Sequence, residues 1–204
     1  MLNPDGVIIG NHRTGMCGND LNRKFPAPLE TVQPTVFAIK ALVADLVHKK
    51  NAKIFTYLDF HGHSLRKNVF VYGGEFPVYD PRYDRIRILP KIMSHKTDMF
   101  RFFSCIFRIH SSKTTTARAI FFSEYGIDQC YTLEASYASW FTQDRETLNF
   151  DPSSFRKMGM IVVESLYEYH TMLKEEDGFK KLKLLEKKEE KKAEKKEKDR
   201  KSVV

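Results

Sequence analysis

The clearest alternation of apolar and polar positions lies around residues 54–64, IFTYLDFHGHS. An apolar run rich in β-branched and aromatic residues opens it and predicts a buried strand over 54–58. The strand is expected to run out at Asp59 into a polar turn that carries His61 and His63 around a glycine. Ahead of it, Val36, Ile39, Val43, Leu46 and Val47 recur at helical spacing. They predict a helix starting near Thr31 or Gln33, with Pro34 tolerated in its first turn. A helix feeding a buried strand is the α/β pattern.

Further strands are predicted at Val7–Ile9, at 68–72 (NVFVY), at 117–122 (ARAIFF) and at 129–134 (QCYTLE). The last two are read as a hairpin turned at Glu124-Tyr125-Gly126. The prolines and arginines of 75–99 allow a loop and at most a short helix near 83–98. The aromatic stretch 100–110 reads as buried. A final helix begins at Ser153 or Ser154, with Phe155, Met158, Ile161, Ser165 and Leu166 as its apolar face. The expected fold is therefore α/β, a mixed sheet flanked by helices.

Composition changes this picture in one place. From Lys174 to Lys201 the chain carries 13 basic and 9 acidic residues, half of the net charge of +8. This Lys/Glu low-complexity stretch is expected to be a solvated helix or disordered tail, separate from a domain over 1–173. The body is only mildly basic and holds no nucleic-acid motif. No run of eighteen apolar residues predicts a membrane span. Three scattered cysteines without a paired spacing suit a reduced, cytoplasmic setting.

Three groups of residues carry candidate chemistry. His61 and His63 at a strand end suit a metal or a catalytic imidazole, against the plain alternative of one surface and one turn-capping histidine. Arg13, Asn22 and Arg23 lie in a glycine-rich polar loop, where guanidinium forks suit carboxylates. An ordinary solvated loop is the competing reading. Glu134 ends a buried strand, which is unusual for a glutamate. It is either a strand-end residue or a general base beside the histidines.

Taken together, LNPDGVIIGNHR, GNDLNR, DFHGHS and TARAIFFSEYGIDQCYTLEAS resemble the zinc carboxypeptidases over residues 1–170. The resemblance is narrowest to the cytosolic branch, which removes glutamates from tubulin tails. It implies that His61 is a zinc ligand and that Asn22 and Arg23 hold the substrate's terminal carboxylate. It also implies that Arg13 polarises the scissile carbonyl and that Glu134 activates the zinc-bound water. His63 then stands behind the site or faces substrate. Peptide or protein C-terminal tails, tubulin among them, are the implied partners, and the cytoplasm, at microtubules, the implied location.

Arg118, near the start of the expected hairpin, would meet a glutamate side chain. An ion pair with Glu124 or Asp128 is the structural alternative. The family draws two further zinc ligands from an HxxE motif, and no histidine here has a glutamate three residues later. The chain is thus expected to represent the C-terminal part of a catalytic domain, with the two remaining ligands upstream. The alternative is an inactive form that only binds acidic peptides.

Overall fold

The computed structural model describes residues 1–174, so the charged tail expected beyond Lys174 lies outside the described residues. The chain divides into two compact units, 1–154 and one starting at Phe155.

The first unit is built on a four-stranded mixed sheet. Its strands are β1 (Tyr57–His63), β2 (Val69–Gly73), β3 (Ile106–Phe107) and β4 (Cys130–Ser136), in the spatial order β1-β4-β2-β3. β1 runs parallel to β4 in a register that places His61 opposite Glu134. β2 is antiparallel to β4 and parallel to β3. β1 stands at one edge of the sheet, and its Phe60 is 61% exposed. A hairpin of β5 (Ser139–Phe141) and β6 (Thr147–Asn149) follows. It is tied back through Asn68, whose side chain accepts from Phe141 N at 3.1 Å and donates to Asp98 O at 2.9 Å.

The helices of this unit are α1 (Pro4–Ile8), α2 (Pro34–Ala44), α3 (Arg82–Lys96) and α4 (Ala117–Tyr125). α2 starts at the expected proline and continues as a π turn to Lys49. Because strand side chains alternate between faces, Cys130 and Tyr131 point to opposite sides of the sheet. On the Cys130 side a core forms from Phe25, Val36, Val43, Phe121 and Ile127, with Tyr57 packed against it. On the other side the buried Tyr131 hydroxyl donates to Ile86 O of α3 at 2.7 Å.

Several expectations are corrected. Val7–Ile9 is not a strand: Pro4 opens α1, and Asn3 caps it by accepting from Gly6 N at 3.1 Å. Asn-Pro is a helix-start signal that outweighs three β-branched or apolar residues. The segment 117–122 is also helical. Thr116 caps it by accepting from Ala119 N, and Gly126 at φ +63° ends it in the left-handed region. Ala117, Ile120 and Phe121 are buried at i, i+3 and i+4, which is helical spacing. No hairpin joins this segment to β4.

α3 runs for 15 residues through Pro90, longer than the short helix expected. The burial of Ile86, Leu89, Ile92 and Met93 outweighs the one lost backbone bond. The stretch 100–110 is only partly buried: Phe100 is 3% exposed, but Phe103 is 96% exposed. β1 starts later than predicted and carries the His-Gly-His segment within the strand.

The last helix, α5 (Pro152–Lys174), starts behind Asp151, whose carboxylate accepts from Ser154 N at 2.6 Å. Its buried positions are Met158, Ile161, Val162, Ser165, Tyr169 and Met172. Phe155, expected on that face, is 43% exposed. Among the described residues no helix is long and apolar enough to cross a membrane.

Candidate active site

The cleft lies on the Cys130 side of the sheet, where Asp59, His61, Thr132 and Glu134 follow one another at every second position of two paired strands. Its volume is about 1080 Å³. Arg13, Asn22, Arg23, His61, Arg118 and Glu134 all line it. The six residues singled out in the sequence thus come together, although they span more than a hundred positions.

The register of β1 and β4 fixes the centre. His61 and Glu134 are direct partners, so their side chains leave the sheet on the same face. His61 Nε2 lies 2.9 Å from Asp59 Oδ2, and Asp59 is two residues back on the same face. Burial pulls the imidazole's pKa down. The bond to Asp59 and the charges of Asp59 and Glu134 outweigh this and leave it above its ordinary value. With Nε2 turned to the Asp59 carboxylate, Nδ1 is the ring nitrogen left for another partner. That is the arrangement found behind metal-bound imidazoles.

Asp59 was not assigned a role from the sequence. The signal was its i, i+2 spacing to His61 on a strand, obscured because the strand was expected to end there. Glu134 is 9% exposed, and burial raises its pKa, with His61 and Arg13 opposing and Asp59 adding to the rise. A carboxylate poised in this way is a competent proton acceptor.

His63 lines the cleft as well. Its Nδ1 accepts from Leu65 N at 3.2 Å and Arg66 N at 3.0 Å, so that nitrogen fixes the turn after β1 and is not a free donor to a metal. Burial, then the Arg66 charge, holds its pKa below the ordinary value. Tyr137 lies across Gly62, where any Cβ would fall 2.1 Å from the ring. A side chain at Gly62 would displace the Tyr137 ring, which is 61% exposed.

The polar loop is anchored from below. Asn3 Nδ2 donates to Thr14 O at 3.2 Å, and Thr14 bridges Asp20. Asp20 in turn accepts from Arg13 Nε at 2.6 Å and from Asn22 N at 3.0 Å. Asn22 Oδ1 accepts from Ala117 N, the first residue of α4, at 2.9 Å. Its amide therefore keeps only the NH₂ donors for the cleft. Asn3 and Asp20 act through Arg13 and Asn22, a role that the sequence pattern did not reveal.

Arg118 projects from α4 and is 4% exposed. Its Nη1 donates to Gly73 O, and its Nε has no hydrogen-bond partner among the described residues. The alternative ion pairs are not made. Glu124 meets Lys40 at 3.0 Å, and Asp128 meets Arg82 at 3.7 Å.

His61 is the one clear imidazole donor, and no group of three or more His, Cys, Asp or Glu side chains among the described residues could hold a metal. A catalytic zinc needs three protein ligands. The donor set of these residues therefore falls short of a zinc site. The purified chain is expected to retain well under one zinc per molecule after dialysis at neutral pH. Stoichiometric retention in metal analysis would show that other donors complete the set.

A carboxylate-backed imidazole, a buried glutamate beside it and an arginine-asparagine loop line one cleft, and solved metallo-carboxypeptidases share the fold. A metallo-carboxypeptidase from Burkholderia cenocepacia superposes with a TM-score of 0.67 at 20% identity, over 84% of this chain and 44% of that one. One from Pseudomonas aeruginosa gives 0.66 at 23% identity, over 81% and 43%. No family model matches the chain.

By sequence this chain belongs with the cytosolic carboxypeptidases. It is 40% identical to human cytosolic carboxypeptidase 1 over 151 residues, which are 67% of this chain and 12% of that protein. It is 37% identical to mouse cytosolic carboxypeptidase 4 over 174 residues, 78% of this chain and 15% of that protein. For zebrafish cytosolic carboxypeptidase 2 the figures are 34% over 170 residues, 83% and 23%. The chain thus spans less than a quarter of the length of each of these relatives.

Proposed function

We propose that this chain forms the tail-binding part of a metallocarboxypeptidase cleft that acts in the cytoplasm on C-terminal glutamates of acidic tails such as those of tubulin. The observation that carries this reading is Arg118, a buried guanidinium facing the cleft with an unpartnered Nε. A buried cation without a carboxylate calls for an anion from outside. A glutamate side chain supplies one, in a charge-assisted contact.

We assign the remaining roles from the family resemblance, and the shared cleft supports them. The Asn22 amide and Arg23 hold the terminal carboxylate. Arg13 would stabilise the charge that develops on the scissile carbonyl oxygen. Glu134 accepts the proton of the attacking water. His61 would offer one imidazole donor to a metal such as zinc, which needs more protein ligands than the described residues supply. A second reading, binding of acidic tails without hydrolysis, is favoured by the shortage of metal donors among the described residues.

Both readings require the cleft to recognise a free C-terminus. Fluorescence anisotropy with a labelled peptide ending in two glutamates tests this on the 204-residue chain. The free acid is expected to bind about tenfold more tightly than its C-terminal amide, since one charge-assisted contact is lost. Equal binding of the two would remove the carboxypeptidase-type reading of the cleft.

A further inference from the structure

Between β3 and α4 the chain makes a short 3-10 turn, Ser111–Lys113, that ends on a lysine lining the cleft. The turn is tied at each step. His110 Nδ1 faces Ser112 Oγ at 3.0 Å, and Lys113 N donates to His110 O at 2.8 Å. Thr114 Oγ1 donates to Ser111 O at 3.1 Å, and Thr116 Oγ1 donates to Lys113 O at 2.8 Å. Thr116 is also the cap of α4, whose first N–H is held by Asn22. The backbone under Lys113 is therefore joined by hydrogen bonds to the Asn22-Arg23 segment.

The Lys113 side chain makes no hydrogen bond or ion pair with the described residues. Burial first, then the charges of Arg23 and Arg13, disfavour its positive form, while Asp20 and Glu134 support it more weakly. Asp20 is already committed to Arg13 and to Asn22 N. Lys113, Arg13 and Arg23 thus lie within electrostatic reach of one another, with Asp20 already bonded and Glu134 the other carboxylate that supports Lys113. Such a group repels itself until an anion enters.

Resting on the tail-binding reading above, we infer that Lys113 is a third carboxylate-binding residue of the cleft, its ammonium adding to Asn22 and Arg23 at the ligand's terminal α-carboxylate. The ligand class is a peptide with a free C-terminus. Lys113 serves as a compact charge with rotatable donors, where Arg23 offers a planar fork.

The test uses the intact chain and the same labelled peptide, as free acid and as C-terminal amide. Lys113→Met keeps the length of the side chain and removes its charge. Because the residue is exposed, the loss is modest: affinity for the free acid is expected to fall about fivefold, as for a solvent-exposed ion pair. Affinity for the amide should stay the same, and Lys113→Arg should restore most of the loss. An unchanged melting temperature confirms that the fold is intact.

No loss with Lys113→Met, or an equal loss on acid and amide, overturns the assignment to the α-carboxylate. The second pattern would mean that Lys113 reads an acidic side chain or acts only through the general field. A wild-type chain that fails to distinguish acid from amide has a different signature, and it would sink the tail-binding reading itself.

Discussion

Arg118→Ala is expected to weaken binding of a peptide ending in glutamate by about 2–5 kcal/mol, the usual loss when one partner of a buried charged pair is truncated. A peptide ending in leucine should change little. The asymmetry follows from the surroundings of the guanidinium. Gly73 O accepts from Nη1, the Nε–H has no acceptor among the described residues, and Glu124 and Asp128 are held by Lys40 and Arg82. An incoming carboxylate therefore finds a desolvated donor with no internal competitor, whereas a leucine side chain gains nothing from the charge. Arg118→Met separates packing from charge, because it keeps most of the apolar stem. Titration of both peptides against wild type and the two variants decides the matter. Equal losses on the glutamate and leucine peptides would make Arg118 a structural residue of α4 and not a reader of the ligand.

Phe121→Ala should cost about 3–5 kcal/mol of folding free energy, among the largest effects available to a single core truncation. Phe121 is 0% exposed. Its ring stands edge-on to Phe25 at 5.5 Å and to Tyr57 at 4.7 Å between centroids. It thus joins α4 to the start of β1 and to the end of the polar loop. The resulting cavity would open next to the residues proposed to bind the tail, so ligand affinity should fall along with stability. Phe103→Ala is the internal control: at 96% exposed, it should shift stability by no more than about 0.5 kcal/mol. Urea unfolding of both variants provides the comparison. A Phe121→Ala loss under about 1 kcal/mol would show that the core is not organised around this ring.

The candidate side chains that meet in the cleft were legible because their chemistry is rare at their positions. A glutamate at the end of a buried strand and a His-Gly-His after an apolar run stand out whatever surrounds them. The elements that carry them were harder to read. The run ARAIFF is apolar and short, so periodicity alone does not separate a buried helix from a strand. The deciding signals were Thr116 in front and Gly126 behind, a cap and a left-handed stop. The same holds for α1, where Asn3-Pro4 outweighs Val7, Ile8 and Ile9. The supporting contacts were not legible at all. That Asn22 holds the N-terminus of α4, or that Asp20 holds Arg13, depends on residues up to 95 positions apart meeting in space. No local pattern records such meetings.

The position of β1 has a practical consequence for anyone who handles this chain. Its seven residues pair with β4 on one side, and among the described residues no strand covers the other. An open strand edge presents a row of amide and carbonyl groups to any extended peptide, including β1 of another copy. Phe60 adds an exposed ring to that edge. Self-association through this edge would grow with concentration and would sequester the histidine strand inside a filament or dimer. Dilute samples, or a short capping peptide laid along β1, would keep the cleft open to its ligands.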